Sequence, residues 1–204
     1  GSLKALRTDH IDIFHLHGVR PEHYESYRDR HLPKLQRLRE AGKVRALGIS
    51  ENFRTDTGHE TLRRALADGG FDAVMTGFNL LNPSAAARVL APAREKGVAT
   101  LIMFAVRRAL SDPAALQDVL SGLVDIDAEG LLALVREGGA RSLVDAGYRY
   151  CHQRAPDSII LTGTGTGTGT GNPKHLAENV ASLMAPALSP EAMARLDALF
   201  GQVD

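Results

Sequence analysis

The sequence predicts an α/β fold in which about five parallel strands alternate with flanking helices. Two observations support this prediction. Apolar residues recur with strand and helix periods in turn along most of the chain. The first two predicted strands, over residues 10–17 and 44–50, also end in polar residues. In barrels of parallel strands the chemistry lies at the carboxyl ends of the strands, so these polar residues are expected to face one shared site.

The predicted elements follow in order along the chain. Strands are predicted over residues 10–17, 44–50, 71–78, 98–106 and 158–161. Helices are predicted over residues 32–41, 60–67, 84–96 and 142–154, and the first of them is terminated by Gly42. Asn172-Pro173 and Ser189-Pro190 each place a capping residue before a first-turn proline, which predicts two more helices. Residues 112–140 hold weaker helical signals, which Gly122, Gly130 and Gly138-Gly139 interrupt.

The composition is that of a globular protein with a single core. The 204 residues include 24 Lys and Arg and 24 Asp and Glu, so charge gives no reason to expect nucleic acid or a membrane surface as partner. Cys151 is the only cysteine, which excludes an intrachain disulfide and fits the reducing cytoplasm. No apolar run approaches the about 20 residues of a membrane span. We expect one domain over residues 1–204, and because Gly1 is not a start methionine a preceding segment stays open.

Polar residues at two strand ends are the first candidates for a functional site. His17 ends the first predicted strand, where a neutral imidazole can donate a hydrogen bond to a carbonyl and stabilise the oxyanion that forms when hydride arrives. Ser50 and Asn52 end the second strand, where a hydroxyl and an amide can hold the carboxamide of a nicotinamide ring. The alternatives are a structural histidine that caps the strand and an ordinary helix N-cap.

A second interpretation rests on His15 and His17, which form a His-x-His pair on one strand. Alternate strand residues share a face, so the two imidazoles can ligate a metal, as in metal-dependent hydrolases on barrel folds. Such a site needs further ligands from other strand ends. The remaining histidines fall at a strand start, in loops or on predicted helices: His10, His23, His31, His59, His152 and His175.

A low-complexity repeat of Thr and Gly covers residues 162–171. Its composition predicts a flexible, exposed loop. The backbone N–H groups of a Gly-rich loop and the start of the following helix form an anion site, where Lys174 or His175 can neutralise a ribose phosphate. The alternative is a solvated loop before a capped helix.

Together these residues resemble the second half of an aldo-keto reductase, and the resemblance runs from about Ser2 to the last residue. It implies a partial (β/α)8 TIM barrel from the fourth strand onward. It implies NADP(H), or NAD(H), as cofactor and a small carbonyl compound or alcohol as substrate. The repeat looks expanded relative to the single Thr-Gly-Thr-Gly expected in the family.

The resemblance also implies roles for individual residues. His17 would polarise the carbonyl, and Ser50 and Asn52 would orient the nicotinamide, although the family places these two polar residues side by side and Glu51 separates them here. The adenosine end of the cofactor would be held by residues of one helix: Lys174, His175, Glu178 and Asn179.

The chain departs from the family pattern in three respects. Met75 stands where a carboxamide-contacting Gln is expected, and Met103 stands where many members stack a Tyr on the ring. The family's proton donor is a Tyr assisted by a Lys and an Asp, all from a first half that these residues do not include. We therefore expect a truncated reductase that is inactive by itself. The alternatives are the hydrolase and a non-enzymatic remnant that self-associates through exposed strand edges.

Overall fold

The computed structural model describes residues 1–163 and 172–203. Five parallel strands lie in the sheet in chain order, with bounds β1 (Ile11–Val19), β2 (Val44–Glu51), β3 (Ala73–Gly77), β4 (Ala99–Met103) and β5 (Ile159–Ile160). Helices separate and flank the strands, which confirms the α/β fold class.

The helices of the described residues are α1 (Ser2–Leu6), α2 (Tyr24–Arg30), α3 (Leu32–Glu40), α4 (Glu60–Asp68), α5 (Ala91–Glu95), α6 (Pro113–Leu120), α7 (Ala128–Glu137), α8 (Leu143–Arg154), α9 (Pro173–Leu183) and α10 (Pro190–Phe200). None of them combines the length and the apolar character that crossing a bilayer requires.

Internal contacts group the chain into two compact units. The first comprises Gly1–Thr76 and Ala87–Leu101, and the second comprises Gly77–Ala86 and Ile102–Asp204. The single domain over residues 1–204 stays a prediction.

In the first unit, the parallel register places His15 opposite Gly48 and Ser50 opposite Met75. Helices α3 and α4 pack against β2. One face of the strands and the helices bury a continuous apolar core, which includes Leu47, Ile49, Leu62 and Val74. The opposite face of β2 carries Gly48 and Ser50, because side chains alternate along a strand.

In the second unit, α8 packs against α7, α9 and β5. Its Arg149 is 6% exposed and donates to the backbone carbonyls of Gly139 (2.7 Å) and Ala187 (3.1 Å) and to the carboxylate of Asp145 (3.2 Å). Asp145 also accepts from the guanidinium of Arg141 at 2.8 Å. This set of contacts, here called the Arg149 network, ties α8 to the segments before and after it.

Two helices differ from the sequence prediction for identifiable reasons. Gly130 lies inside α7 and does not interrupt it, because its N–H donates to the capping carboxylate of Asp127 at 2.7 Å. The helix predicted over residues 84–96 is a π-helical turn, Ala86–Leu90, followed by the short α5. Pro92 lacks an N–H and cannot continue a regular helical ladder at this point.

Helix α2 has no counterpart in the prediction. It follows a 3₁₀ turn, Pro21–His23, and its first turn carries no side-chain cap. It buries Tyr24, whose hydroxyl donates to Asp68 at 3.0 Å. The helix is therefore stabilised by a long-range contact and lacks the capping signal that marks most helix starts.

Candidate functional site

The structure brings His17 of β1 and Ser50 of β2 into contact at the carboxyl ends of the two strands. Nδ1 of His17 lies 3.1 Å from Oγ of Ser50, and the N–H of Gly18 donates to the same Oγ at 2.8 Å. Ser50 is completely buried, whereas His17 is exposed. The imidazole thus has one edge fixed by the protein and the remainder open to a ligand.

The chain geometry at the end of β1 explains this contact. The pairing of β1 with β2 shifts register between Leu16 and Val19, and Gly18 has a φ of 62°. Glycine adopts this left-handed conformation without the steric cost that a side chain adds. The irregularity turns the Gly18 N–H toward Ser50, where a regular strand would direct it along the ladder.

Asn52 lies just after β2 and is half-buried. Its N–H donates to the carbonyl of Val19, and its own carbonyl accepts from the N–H groups of Thr55 and Asp56, each at 3.0 Å. Asp56 then caps α4 by accepting from the N–H groups of Glu60 and Thr61. Asn52 therefore opens the turn that leads into α4, and in residues 1–163 no hydrogen bond joins its side chain to His17 or Ser50.

Glu51, which separates Ser50 from Asn52 in the sequence, has a structural role. It lies on the opposite face of β2 and is 2% exposed. Its carboxylate accepts from Nδ1 of the buried His59 (2.9 Å) and from Oγ1 of the buried Thr76 (2.9 Å). Strand alternation predicts that the side chain of Glu51 points away from that of Ser50. It does not predict which residues become the partners of Glu51, because they lie elsewhere in the sequence. Glu51 thus links the end of β2 to the start of α4 on the face of β2 opposite Ser50.

His15 lies on β1 on the same face as His17, one alternation earlier. Its imidazole covers Gly48, where any Cβ would overlap the ring. Burial, with a contribution from the neighbouring His17, lowers the pKa of His15. Its Nδ1 is buried and has no hydrogen-bond partner. His15 is therefore a neutral imidazole at neutral pH.

Among the described residues no three His, Cys, Asp or Glu side chains are grouped as metal ligands. Zinc bound by His15 and His17 alone would lack at least one protein ligand. The metal-dependent hydrolase stays a hypothesis, and elemental analysis of the purified chain separates it from the reductase.

The other candidates lie on α9. Lys174, His175 and Glu178 are exposed, and Nζ of Lys174 is 4.0 Å from Oε1 of Glu178. Asn179 is buried, and its amide donates to the carbonyl of Gly163 at 2.7 Å. Asn172 caps the helix by accepting from the N–H of Lys174 at 3.0 Å. Most of the Thr-Gly repeat, residues 164–171, lies outside the described residues.

Three of the four tyrosines do not resemble proton donors for catalysis near neutral pH. Burial raises the pKa of Tyr24, Tyr148 and Tyr150, and in Tyr24 the bond to Asp68 adds to the effect. A general acid needs a pKa shifted toward the operating pH, which is the opposite direction.

A polar cluster after β3, within the second unit, was not predicted from the sequence. Oδ1 of Asn79 accepts from the N–H groups of Leu81 and Asn82, while its Nδ2 is buried without a partner. The carbonyl oxygen of the Asn82 side chain accepts from Arg107, whose pKa is lowered by burial. Only the Asn-Leu-Leu-Asn turn sequence signals this cluster, and it contains no pattern specific to a ligand site.

Comparison with known proteins adds to this geometry. The chain matches the sequence model of the aldo/keto reductase family over residues 1–200. No curated protein sequence matches it. The similar solved structures include aldo-keto reductase AKR11C1 from Bacillus halodurans in its holo form, with 19% identity and a TM-score of 0.66 over 98% of this chain and 64% of that one.

Two further solved structures are also similar to this chain. Glycerol dehydrogenase AKR11B4 from Gluconobacter oxydans has 20% identity and a TM-score of 0.67 over 98% of this chain and 62% of that one. An aldo/keto reductase from Klebsiella pneumoniae, in complex with NADP and acetate, has 16% identity and a TM-score of 0.65, with 98% and 62% covered. This chain thus spans less than two thirds of their lengths. The structural likeness confirms the partial TIM-barrel architecture, and the family match shows that the chain belongs to the aldo/keto reductase family.

Proposed function

We propose that this chain contributes the carbonyl-polarising group and the cofactor contacts of an NADP(H)-dependent oxidoreductase that interconverts aldehydes or ketones and alcohols. The observation that carries the proposal is the contact of His17 with Ser50 at the carboxyl ends of adjacent strands, which is where parallel barrels perform their chemistry. The NADP complex of the Klebsiella pneumoniae relative supports the choice of cofactor.

His17 has the chemistry to stabilise a developing oxyanion. Its exposed imidazole donates an N–H to the carbonyl oxygen of the substrate, and this hydrogen bond strengthens as negative charge develops there. The bound nicotinamide cofactor supplies the hydride. Ser50 and Asn52 orient the carboxamide of the cofactor, and Met75, in register with Ser50, offers a polarisable side chain that can pack on an aromatic ring.

The residues at Ser50 fit such a cofactor. The hydroxyl accepts from Gly18 at 2.8 Å and is in contact with His17 at 3.1 Å. A hydroxyl oxygen has two lone pairs, and the N–H of Gly18 uses only one of them. Glu51 lies on the opposite face of β2 from Ser50. The contact between Ser50 and His17 is compatible with NAD(H) as well as with NADP(H).

At the adenosine end, Lys174 and His175 provide the positive charge for a ribose phosphate, and Glu178 and Asn179 contact the base. Support comes from the exposure of the first three side chains on the first turns of α9. Asn179 already donates to Gly163, so its carbonyl oxygen is the part left for the base. Cytoplasmic location and self-association through strand edges remain expectations of the same proposal.

Shortening the Thr-Gly repeat is expected to tighten NADPH binding. Alternating glycines enlarge the set of conformations of the unbound chain, and ordering costs about 1–2 kcal/mol for each residue fixed. The experiment uses a complete barrel, in which the first half of a solved family member is joined before Ser2. Two versions are titrated with NADPH by fluorescence, one with residues 162–171 intact and one with a single Thr-Gly-Thr-Gly.

Equal affinities would show that the extra repeat units are neutral, and weaker binding by the short version would show that they contact the cofactor. If neither folded barrel binds NADPH, the proposed cofactor is wrong.

A further inference from the structure

The hydrogen-bond arrangement around Ser50 carries information about the proton on His17. The Ser50 hydroxyl is 0% exposed in the described structure, so the hydrogen bonds that it makes there come from the protein. It accepts one from the N–H of Gly18 at 2.8 Å. This bond uses a lone pair of Oγ and leaves the hydroxyl proton to be placed.

Nδ1 of His17, at 3.1 Å, is the acceptor that the described structure offers to this proton. A buried hydroxyl whose proton has no acceptor destabilises the fold. If Nδ1 of His17 carried a proton instead, it would donate to Ser50, and the hydroxyl proton would be left without a partner. The favoured arrangement is a bare Nδ1 that accepts from Ser50.

We propose that Ser50 is a positioning residue that sets the tautomer of His17, holding the ring proton on Nε2. This inference rests on the proposed function, because it gives the Nε2–H its role as donor to an aldehyde or ketone oxygen.

The surroundings hold Ser50 in place for this task. Gly18 adopts φ 62° at the irregular end of β1, and its N–H donates to Oγ. Behind Ser50, the buried contacts of Glu51 with His59 and Thr76 fix the end of β2. His15 lies on the same face, but its Nδ1 has no hydrogen-bond partner and so takes no part in the bond to Ser50.

The test reads the tautomer directly by NMR. The 204-residue chain is labelled with ¹⁵N, and long-range ¹H–¹⁵N spectra of the imidazoles are recorded at about pH 8, above the ordinary imidazole pKa of about 6.5. The His17 signals are assigned by their loss in His17→Gln. The expected result is a protonated Nε2 and an unprotonated, hydrogen-bonded Nδ1. A proton on Nδ1 in the wild-type chain overturns the proposal, whatever the variants show.

Variants separate positioning from a general structural effect. Ser50→Ala is expected to shift the His17 signals toward a mixture of both tautomers, and Ser50→Thr, which keeps the hydroxyl, is expected to retain the wild-type pattern. Ser121→Ala is the matched control, since its hydroxyl donates to the carbonyl of Asp118. An unchanged His17 pattern in folded Ser50→Ala overturns the proposal. If the tautomer is as expected but His17 proves dispensable for turnover, the proposed function fails and the positioning role stands.

Discussion

Replacing Asp145 with Ala is expected to destabilise the chain by about 3–5 kcal/mol, the typical cost of leaving one member of a buried ion pair without its partner. Asp145 and Arg149 are almost fully buried, and Oδ2 of Asp145 lies 3.2 Å from Nη1 of Arg149. The substitution also removes the acceptor for the backbone N–H and the guanidinium of Arg141. Urea unfolding followed by circular dichroism measures the change in the free energy of unfolding.

Glu137→Ala is the matched control. The carboxylate of Glu137 pairs with Arg195 at 2.9 Å, and both side chains are exposed. Such surface pairs contribute about 0–1 kcal/mol, so this variant should unfold close to the wild-type chain. Equal small losses in the two variants would show that the Arg149 network does not stabilise α8.

The same network predicts a dependence on pH. Burial alone raises the pKa of Asp145, but hydrogen bonds from Arg141, Ser182 and Arg149 outweigh it and lower the pKa from 3.8 to about 2. A carboxylate with a lowered pKa stabilises the fold above its unfolded pKa of 3.8, and the stabilisation is lost as pH falls through the folded value. The contribution is about 2 kcal/mol. Asp145→Asn should remove this part of the pH dependence between about pH 5 and pH 1.

The second large effect concerns activity. The 204-residue chain by itself is expected to show no NADPH-dependent carbonyl reduction above background, whereas the complete barrel turns over. The family resemblance assigns the proton donor to a tyrosine outside these residues, and proton transfer by a positioned side chain contributes about 10²–10⁴-fold to the rate. Burial raises the pKa of Tyr148 and Tyr150, which moves them away from this role.

The loss of NADPH absorbance measures turnover with a panel of small aldehydes and ketones. Turnover by the purified chain would show that it contains its own proton donor. His17→Ala within the active chain would then test whether the same strand-end site is responsible.

The strands and the meeting of His17 with Ser50 could be predicted from the sequence. The strands are short and rich in apolar residues, and parallel strands necessarily bring their carboxyl ends to one edge of the sheet. The individual hydrogen bond could not be predicted, because it depends on the irregular end of β1 at Gly18. The sequence contains a glycine at this position, but it does not show which glycines of the chain lie at an irregular strand end.

The less predictable features all depend on contacts between distant residues. In the sequence Glu51 is only a residue that separates Ser50 from Asn52, and its partners His59 and Thr76 follow 8 and 25 residues later. Arg149 binds backbone carbonyls. Every residue has a backbone carbonyl, so the sequence does not indicate which of them Arg149 contacts. The resemblance places Asn179 at the base of the cofactor, and the structure shows that its amide donates to the carbonyl of Gly163. The functional roles of the site residues stay predictions.

The catalytic rate constant of His17→Ala in the complete barrel tests the central claim most directly. A barrel that binds NADPH and reduces a carbonyl is compared with the same barrel carrying His17→Ala. The control variant is His10→Ala, which changes the histidine that precedes β1 and contacts Asp9. Loss of the oxyanion donor is expected to lower kcat by about 10²–10³-fold, with little change in the affinity for NADPH. His10→Ala should retain the activity. An unchanged kcat in His17→Ala would remove His17 from the reaction and contradict the assignment of this strand end as the carbonyl site.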